Sequence, residues 1–290
     1  ANECLIKTAR KWASDTKGEG EHPFVTLVNS FHGRTLTTVT ATGQDTFHKF
    51  FGPFTPGFRY VPASDLAALE RQLDAEDCSA VLVEIVQGEG GVRALDADYL
   101  KAVEALCHEK NVLFCVDEVQ TGNGRTGTWF AYEQFGLSPD LVSTAKGLGN
   151  GLPIGATLMG SKTAEVLTPG THGSTFGGNP VACAGALSVL EQIDDAFLEA
   201  VKQKGAWLTA ELEKIPGVKD VSGLGLMLGF SVEGCKSADI KAKALDNGLV
   251  VLTAKDRVRL LPPLAITEEE LSDGLLRLAA AIREVQEAAH

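Results

Sequence analysis

No apolar run in this 290-residue chain reaches the roughly 20 residues that a membrane helix needs. No stretch of Lys or Arg offsets the formal net charge of −12, which argues against nucleic acid or an anionic membrane surface as a partner. None of the six cysteines, at 4, 78, 107, 115, 183 and 235, forms a C-x-x-C pair. Most sit in apolar runs, the pattern of reduced core cysteines in a cytoplasmic protein. Cys107 and His108 with Cys115 match no common zinc spacing, so no metal is expected. There is no internal repeat, no low-complexity segment and no visible secretory leader. A chain that opens at Ala1 says nothing of a leader already removed.

What is present fits a globular protein with an ample core: 44% of residues are hydrophobic and 22% charged. Residues 4–13 (CLIKTARKWA) carry apolar positions at helical spacing, with no capping side chain and room to work before them, so the start reads as cut. Apolar runs at 24–28, 80–86, 112–117 and 140–144 alternate with helical patterns at 64–74, 97–110 and 179–193. Continuous Val/Leu/Ile runs between helices indicate parallel strands buried on both faces. After residue 194 the character changes: helices near 196–214, 237–247 and 267–288 are interleaved with strand-like runs at 224–232, 249–252 and 257–261. The expected organisation is a large α/β domain over 1–194 and a smaller α+β domain over 195–290.

One stretch, "VLFCVDEVQTGNGRTG", holds two readings. Gly122, Gly124 and Gly127 have the spacing of a dinucleotide-binding turn and admit a nicotinamide-dependent oxidoreductase. That turn needs its first glycine directly after the strand and a helix opening inside the motif, whereas Asp117 to Thr121 intervene here. A plain glycine-rich loop is the better reading. Asp117 itself closes a buried strand, at the edge where open α/β sheets hold ligands, though a lone acid there also suits a cap or an ion pair. The next strand-like run ends in Lys146, followed by the nearly side-chain-free Gly147-Leu148-Gly149-Asn150-Gly151. A partly desolvated lysine can form a Schiff base. An acid on one strand end and a lysine on the next suit pyridoxal phosphate, the acid keeping the ring nitrogen protonated. "THGSTFGGNP" (171–180) then offers free backbone amides ahead of a helix, a place for a phosphate or merely a helix-entry loop.

"SFHGRT", "QGEGG", "DEVQTGNGRTG", "STAKGLGNGLPIGA", "HGSTFGGNP" and "VRLLPP" follow one another as in class III, fold-type I pyridoxal-phosphate aminotransferases. The resemblance runs essentially end to end. His32 after Phe31 tilts it toward the acetylornithine branch. The implied fold is a three-layer sandwich around a mostly parallel sheet. The implied reaction is transamination between N2-acetyl-L-ornithine and 2-oxoglutarate, with pyridoxal 5'-phosphate as cofactor and a homodimer sharing its active sites. Succinylornithine, ornithine, 4-aminobutyrate or a carrier-linked lysine remain as other amine donors.

By the same resemblance Lys146 matches the Schiff-base lysine, Asp117 the pyridinium partner, and Gln120 the residue near the ring's O3′, with Glu118 and Val119 beside them in the cofactor stretch. Phe31 resembles the stacking aromatic, Thr175 a phosphate ligand donated across a dimer interface, and Ser174 a neighbouring substrate contact. Arg34 and Arg259 match the arginines that take substrate carboxylates, and Glu84 the acid that masks the second of them. There are two departures. Ile85-Val86 stand where Pro and Ile or Val are usual. The family also carries roughly 100 further N-terminal residues, beyond ordinary variation within one domain, including a Ser-Gly-Ala phosphate loop that would end just before Ala1. The chain therefore resembles a member lacking that segment, for which a non-catalytic fragment binding cofactor weakly is a further expectation.

Overall fold

The structure is a computed structural model that describes residues 1–74 and 77–288. The chain opens with α1 (Asn2–Lys17), β1 (Phe24–Leu27), α2 (Leu36–Ala41), α3 (Asp45–His48), β2 (Phe58–Val61), α4 (Leu66–Leu73) and β3 (Ala80–Val83). It then leaves for a hairpin, β4 (Val86–Gln87) and β5 (Arg93–Ala94), that belongs to a second compact unit. The first unit resumes with α5 (Ala97–Glu109) and β6 (Leu113–Asp117), and after a further excursion (124–129) continues through β7 (Leu141–Thr144), β8 (Ala156–Met159) and α6 (Pro180–Leu190). The second unit is completed by α7 (Asp195–Leu212), β9 (Val218–Leu224), β10 (Met227–Val232), α8 (Ser237–Asp246), β11 (Leu252–Ala254), β12 (Arg257–Leu260) and α9 (Glu268–Ala288). It thus holds 86–94 and 124–129 as well as 194–290, two short loans that a division into consecutive blocks at 194 does not contain.

The first unit is an α/β fold. Its six strands lie in the order β2-β1-β3-β6-β7-β8, all pairs parallel except β8 against β7. β1, β3, β6 and β7 are buried at every position, which is why they read as unbroken apolar runs rather than alternating ones. Leu5, Ile6, Ala9, Trp12 and Ala13 form one stripe of α1 and pack with Ala80, Leu82, Leu113, Cys115 and Leu141 on one sheet face. Each such large side chain contributes about 1.5–3 kcal/mol on burial. Val81, Val83, Phe114 and Val116, pointing the other way by strand alternation, are equally buried, so the sheet is covered on both faces. α4 packs on β2 and α5 on β6. Asp65 and Asp96 cap those helices by accepting first-turn amides, from Ala68 and from Asp98 and Tyr99 respectively.

In the second unit four antiparallel strands, in the order β11-β12-β10-β9, carry Leu228, Phe230 and Val258 into a core shared with Leu208 and Leu212 of α7, Ile240 of α8 and Leu278 of α9. The two loans are fastened here by arginines. Arg93 forms a two-pronged pair with Asp220, at 2.8 and 2.6 Å. Arg125 Nη1 donates to the carbonyls of Leu226 (3.0 Å) and Pro262 (2.6 Å), and burial lowers its pKa to about 10.

The apolar runs at 24–28, 80–86, 112–117 and 140–144 hold the four central strands, each within a residue or two except that the second divides into β3 and β4. β11 starts at 252 rather than 249. β2 and β8 carry no such signal, because they are edge strands left partly open to water.

Candidate active site

Four neighbouring parallel strands end at one edge, and each end delivers a candidate residue. Phe31 and His32 follow β1, Glu84 follows β3, Asp117 closes β6, and Lys146 comes two residues after β7. This carboxyl edge is where doubly wound sheets bind ligands. The loop after β1 is pinned there by Gly43. Asn29 N–H donates to Gly43 O at 2.7 Å, Gly43 N–H donates to Ser30 Oγ at 3.0 Å, and a Cβ at position 43 would lie 2.1 Å from Leu27 O, so only glycine fits.

Asp117 is buried yet anionic. Burial pushes its carboxyl up, but the hydrogen bond and charge of His32, the Val119 amide and the Asn2 amide outweigh that and hold it below the usual carboxylate range. Lys146 is exposed and opens a 3-10 turn (Lys146–Gly149) with φ +47°, a left-handed backbone that costs a non-glycine residue energy. Gln120 is half-buried, and its Nε2 is buried without a hydrogen-bond partner. Val119 contributes its amide to Asp117 Oδ1 at 3.0 Å.

Two of the residues expected in the site also hold local structure. Glu118 is fully buried, with its carboxylate receiving Thr121 Oγ1–H and the amides of Ala131 and Tyr132, so it caps the short 3-10 helix Ala131–Phe135. Burial pushes its carboxyl up to about 7. Glu84 accepts the Phe31 amide at 2.9 Å and fixes the turn that carries the aromatic. The acid found on Arg259 is Glu89, whose Oε1 accepts from Arg259 Nη1 at 2.6 Å within the second unit. Arg259 is buried, which makes its pairing more consequential than that of a surface arginine.

Arg34 is exposed and lies over the rings of Phe47 (4.4 Å) and Phe31 (5.4 Å), while Phe31 meets Phe47 edge-on at 5.1 Å. Ser174 and Thr175 are exposed in the loop that leads to α6, whose cap Asn179 accepts from the amides of Val181 and Ala182. Gly122 to Gly127 form turns in which no helix opens, so the dinucleotide geometry is not met. Among the described residues no group of three or more His, Cys, Asp or Glu could hold a metal ion, and no helix is long and apolar enough to cross a membrane.

Asn2 and His32 are in contact with Asp117 although neither stands near it in sequence. Asn2 Nδ2 donates to Asp117 Oδ2 across 115 positions, and His32 Nδ1 meets the same oxygen across 85. Nothing local in "ANECL" or "SFHGRT" signals either contact.

The family model for "Aminotransferase class-III" matches residues 1–282. An acetylornithine aminotransferase of Haemophilus ducreyi is 50% identical over 286 residues, covering 98% of this chain and 73% of the relative. That of Bacillus subtilis is 46% identical, covering 97% and 73%. Among solved structures, the N-acetylornithine aminotransferase of Stenotrophomonas maltophilia superposes with a TM-score of 0.85 at 36% identity, covering 99% of this chain and 73% of that one. The ornithine aminotransferase of Toxoplasma gondii, crystallised in presence of oxidized glutathione with partial occupancy of PLP at its active site, superposes with a TM-score of 0.90 at 36% identity, covering 99% and 71%. With an acid and a lysine on adjacent strand ends and a match along nearly its whole length, this chain belongs to the class III aminotransferases.

Proposed function

We propose that the chain is a pyridoxal-phosphate-dependent transaminase. In this reading it moves the terminal amino group of N2-acetyl-L-ornithine to 2-oxoglutarate, giving N-acetyl-L-glutamate 5-semialdehyde and L-glutamate, a step of arginine biosynthesis. The observation that carries it is the pair formed by Asp117, held ionised at the end of β6, and Lys146 after the neighbouring β7. The names of the similar proteins from Haemophilus ducreyi and Bacillus subtilis support the donor.

The cofactor, when bound, supplies an aldehyde that condenses with primary amines and a protonated ring that draws electrons from the carbon beside it. The residues present suit it. Lys146 Nζ is the amine, and it takes up and returns the proton at the substrate's amine-bearing carbon. Asp117, held as an anion, would hold the proton of the ring nitrogen. Gln120 Nε2, buried without an acceptor, is a donor fitted to the ring's phenolic oxygen. Phe31 would pack against the ring, and Thr175 with the amides ahead of α6 would receive the phosphate. Arg34 and Arg259 take the carboxylates of the substrates, with Ser174 adjacent.

Glu89, on this reading, competes with a substrate carboxylate for Arg259. Glu89→Gln should therefore lower KM for 2-oxoglutarate by about tenfold, the scale of one hydrogen bond to a charged group, and slow the half-reaction with acetylornithine. Unchanged KM values would remove Glu89 from this role. The donor itself is tested by half-reaction rates over N2-acetylornithine, succinylornithine, ornithine and 4-aminobutyrate. Faster transfer from any of the last three would displace acetylornithine.

The same reading makes the protein a homodimer with shared active sites. Its support is α6, an apolar helix on which only Ala182 and Ala186 are buried while Val181 and Leu187 are 70% and 59% exposed. A helix apolar all round is normally covered, and Phe176, 83% exposed, adjoins it beside Thr175. Sedimentation at the mass of one chain would exclude this. Six free cysteines suit the cytoplasm, and recovery of the protein with oxidised, paired thiols would argue against that compartment.

A further inference from the structure

Asp117 is gripped by more donors than a ring-nitrogen partner requires. Its Oδ2 accepts from Asn2 Nδ2 at 2.7 Å and faces His32 Nδ1 at 2.8 Å, while Oδ1 accepts from the Val119 amide at 3.0 Å and Ser143 Oγ at 3.4 Å. The His32 side chain is wholly buried. A carboxylate only accepts, so Nδ1 carries the proton, and Nε2 on the far side of the ring is buried with no partner. Asn2 also donates to His32 O at 2.8 Å, and its own Oδ1 is buried and unpartnered. His32 is fixed from behind by its amide, which donates to Thr42 Oγ1 at 2.9 Å, and Thr42 Oγ1 donates in turn to Thr38 O at 3.0 Å.

This arrangement is costly for a purely structural one. Asn2 spends its amide hydrogens on Asp117 and on the His32 carbonyl, both far from it in sequence. Two buried polar atoms are left unpaired, each unfavourable. What the pair secures is an acid aimed and ionised in a place that disfavours charge.

We propose that Asn2 and His32 are positioning residues that act through Asp117, holding its carboxylate anionic and aimed so that the ring nitrogen of the bound cofactor keeps its proton. The inference rests on the pyridoxal-phosphate reading above and extends it to two residues to which that reading gives no role. It commits the network to the ring nitrogen, and a cofactor analogue with carbon in that place exposes the commitment.

The decisive measurement compares dissociation constants of pyridoxal phosphate and of its 1-deaza analogue for the full chain and for Asn2→Ala, Asn2→Asp and His32→Ala. The unaltered protein should favour pyridoxal phosphate, and each variant should narrow that preference by about tenfold, the effect of one hydrogen bond to a charged group. Equal weakening of both ligands would reduce Asn2 and His32 to packing residues and overturn the proposal. So would an unchanged preference. If the unaltered protein prefers pyridoxal phosphate but the variants do not differ, only this inference fails. If it binds neither ligand, the pyridoxal-phosphate reading falls and takes this inference with it.

A second readout needs no cofactor. Asn2→Asp is nearly isosteric and sets a second carboxylate against Asp117, so the two must share a proton and one of them titrates higher in the folded protein than unfolded. In the unaltered protein the lowered carboxyl of Asp117 makes stability fall with acid, through the range below the unfolded carboxylate value. In Asn2→Asp stability should instead fall as pH rises above that value. The titratable groups about Asp117 are His32 and Glu118, and both are present in each protein, so the difference belongs to position 2. Melting curves of the two apoproteins that keep the same pH slope would count against the proposal.

Discussion

Lys146→Ala should abolish transamination, with kcat down by more than about 10⁴-fold, while the protein keeps its fold. The size follows from a double loss, since on the proposed reading one side chain both forms the covalent link to the cofactor and moves the proton, and proton transfer alone contributes about 10²–10⁴-fold. The fold survives because Lys146 is exposed, and surface substitutions usually change stability by less than about 0.5 kcal/mol. Borohydride treatment of the loaded protein should fix the cofactor's mass on the peptide containing Lys146 and on no peptide of the variant. Lys146→Arg separates chemistry from charge. It preserves the positive charge, but a guanidinium does not deprotonate and cannot serve as the amine. Residual activity in the arginine variant near that of the unaltered protein would show that Lys146 works by charge alone.

Asp117→Ala should cost both stability and catalysis, and Asp117→Asn should separate the two. Removing the buried carboxylate leaves its donors without an acceptor, at about 1–3 kcal/mol for each stranded group. Here the stranded groups are His32 Nδ1 and Asn2 Nδ2. Thermal unfolding of the alanine variant should shift by roughly 2–4 °C for each kcal/mol lost. Asparagine keeps the volume and one acceptor oxygen, so it should unfold much nearer to the original temperature. It cannot supply the anion, so kcat should still fall by about 10²–10³-fold, as when a preorganised electrostatic contact is removed. An asparagine variant with full activity would mean that the carboxylate serves only the fold.

The central strands could be read directly because burial on both faces writes an unbroken apolar run, and Asp117 and Lys146 stood out because each ends or follows such a run. The edges were harder. β2 (FRYV) and β8 (ATLM) are short and half-exposed, and their strand state is set by a neighbour's hydrogen bonds more than by their own letters. The site failed to read out wherever a residue's partner lies far along the chain. "VEIVQGEGG" offers two acids five positions apart, and nothing in its spacing says which meets an arginine 170 positions away; the structure pairs Glu89 with it. Asn2 is of the type that caps helices, and only the folded chain reveals that it serves Asp117. The division near 194 marks a real change in character, but a text scanned from left to right cannot show two short segments that leave one unit to complete another.

Those loans set an order of assembly. Asp220 follows Arg93 by 127 positions, and Pro262 follows Arg125 by 137. At about 5–20 residues per second, a ribosome delivers the first of these partners some 6–25 s after the arginine. Loop closure over such spans adds little equilibrium cost, since it grows only with the logarithm of length, but it slows folding. The parallel sheet can therefore form before the partners of both excursions are made, and the second unit locks only once residues 194–262 have been synthesised. A ribosome that stalls soon after residue 193 would release a chain with Asp117 and Lys146 in place and Glu89 still waiting for Arg259.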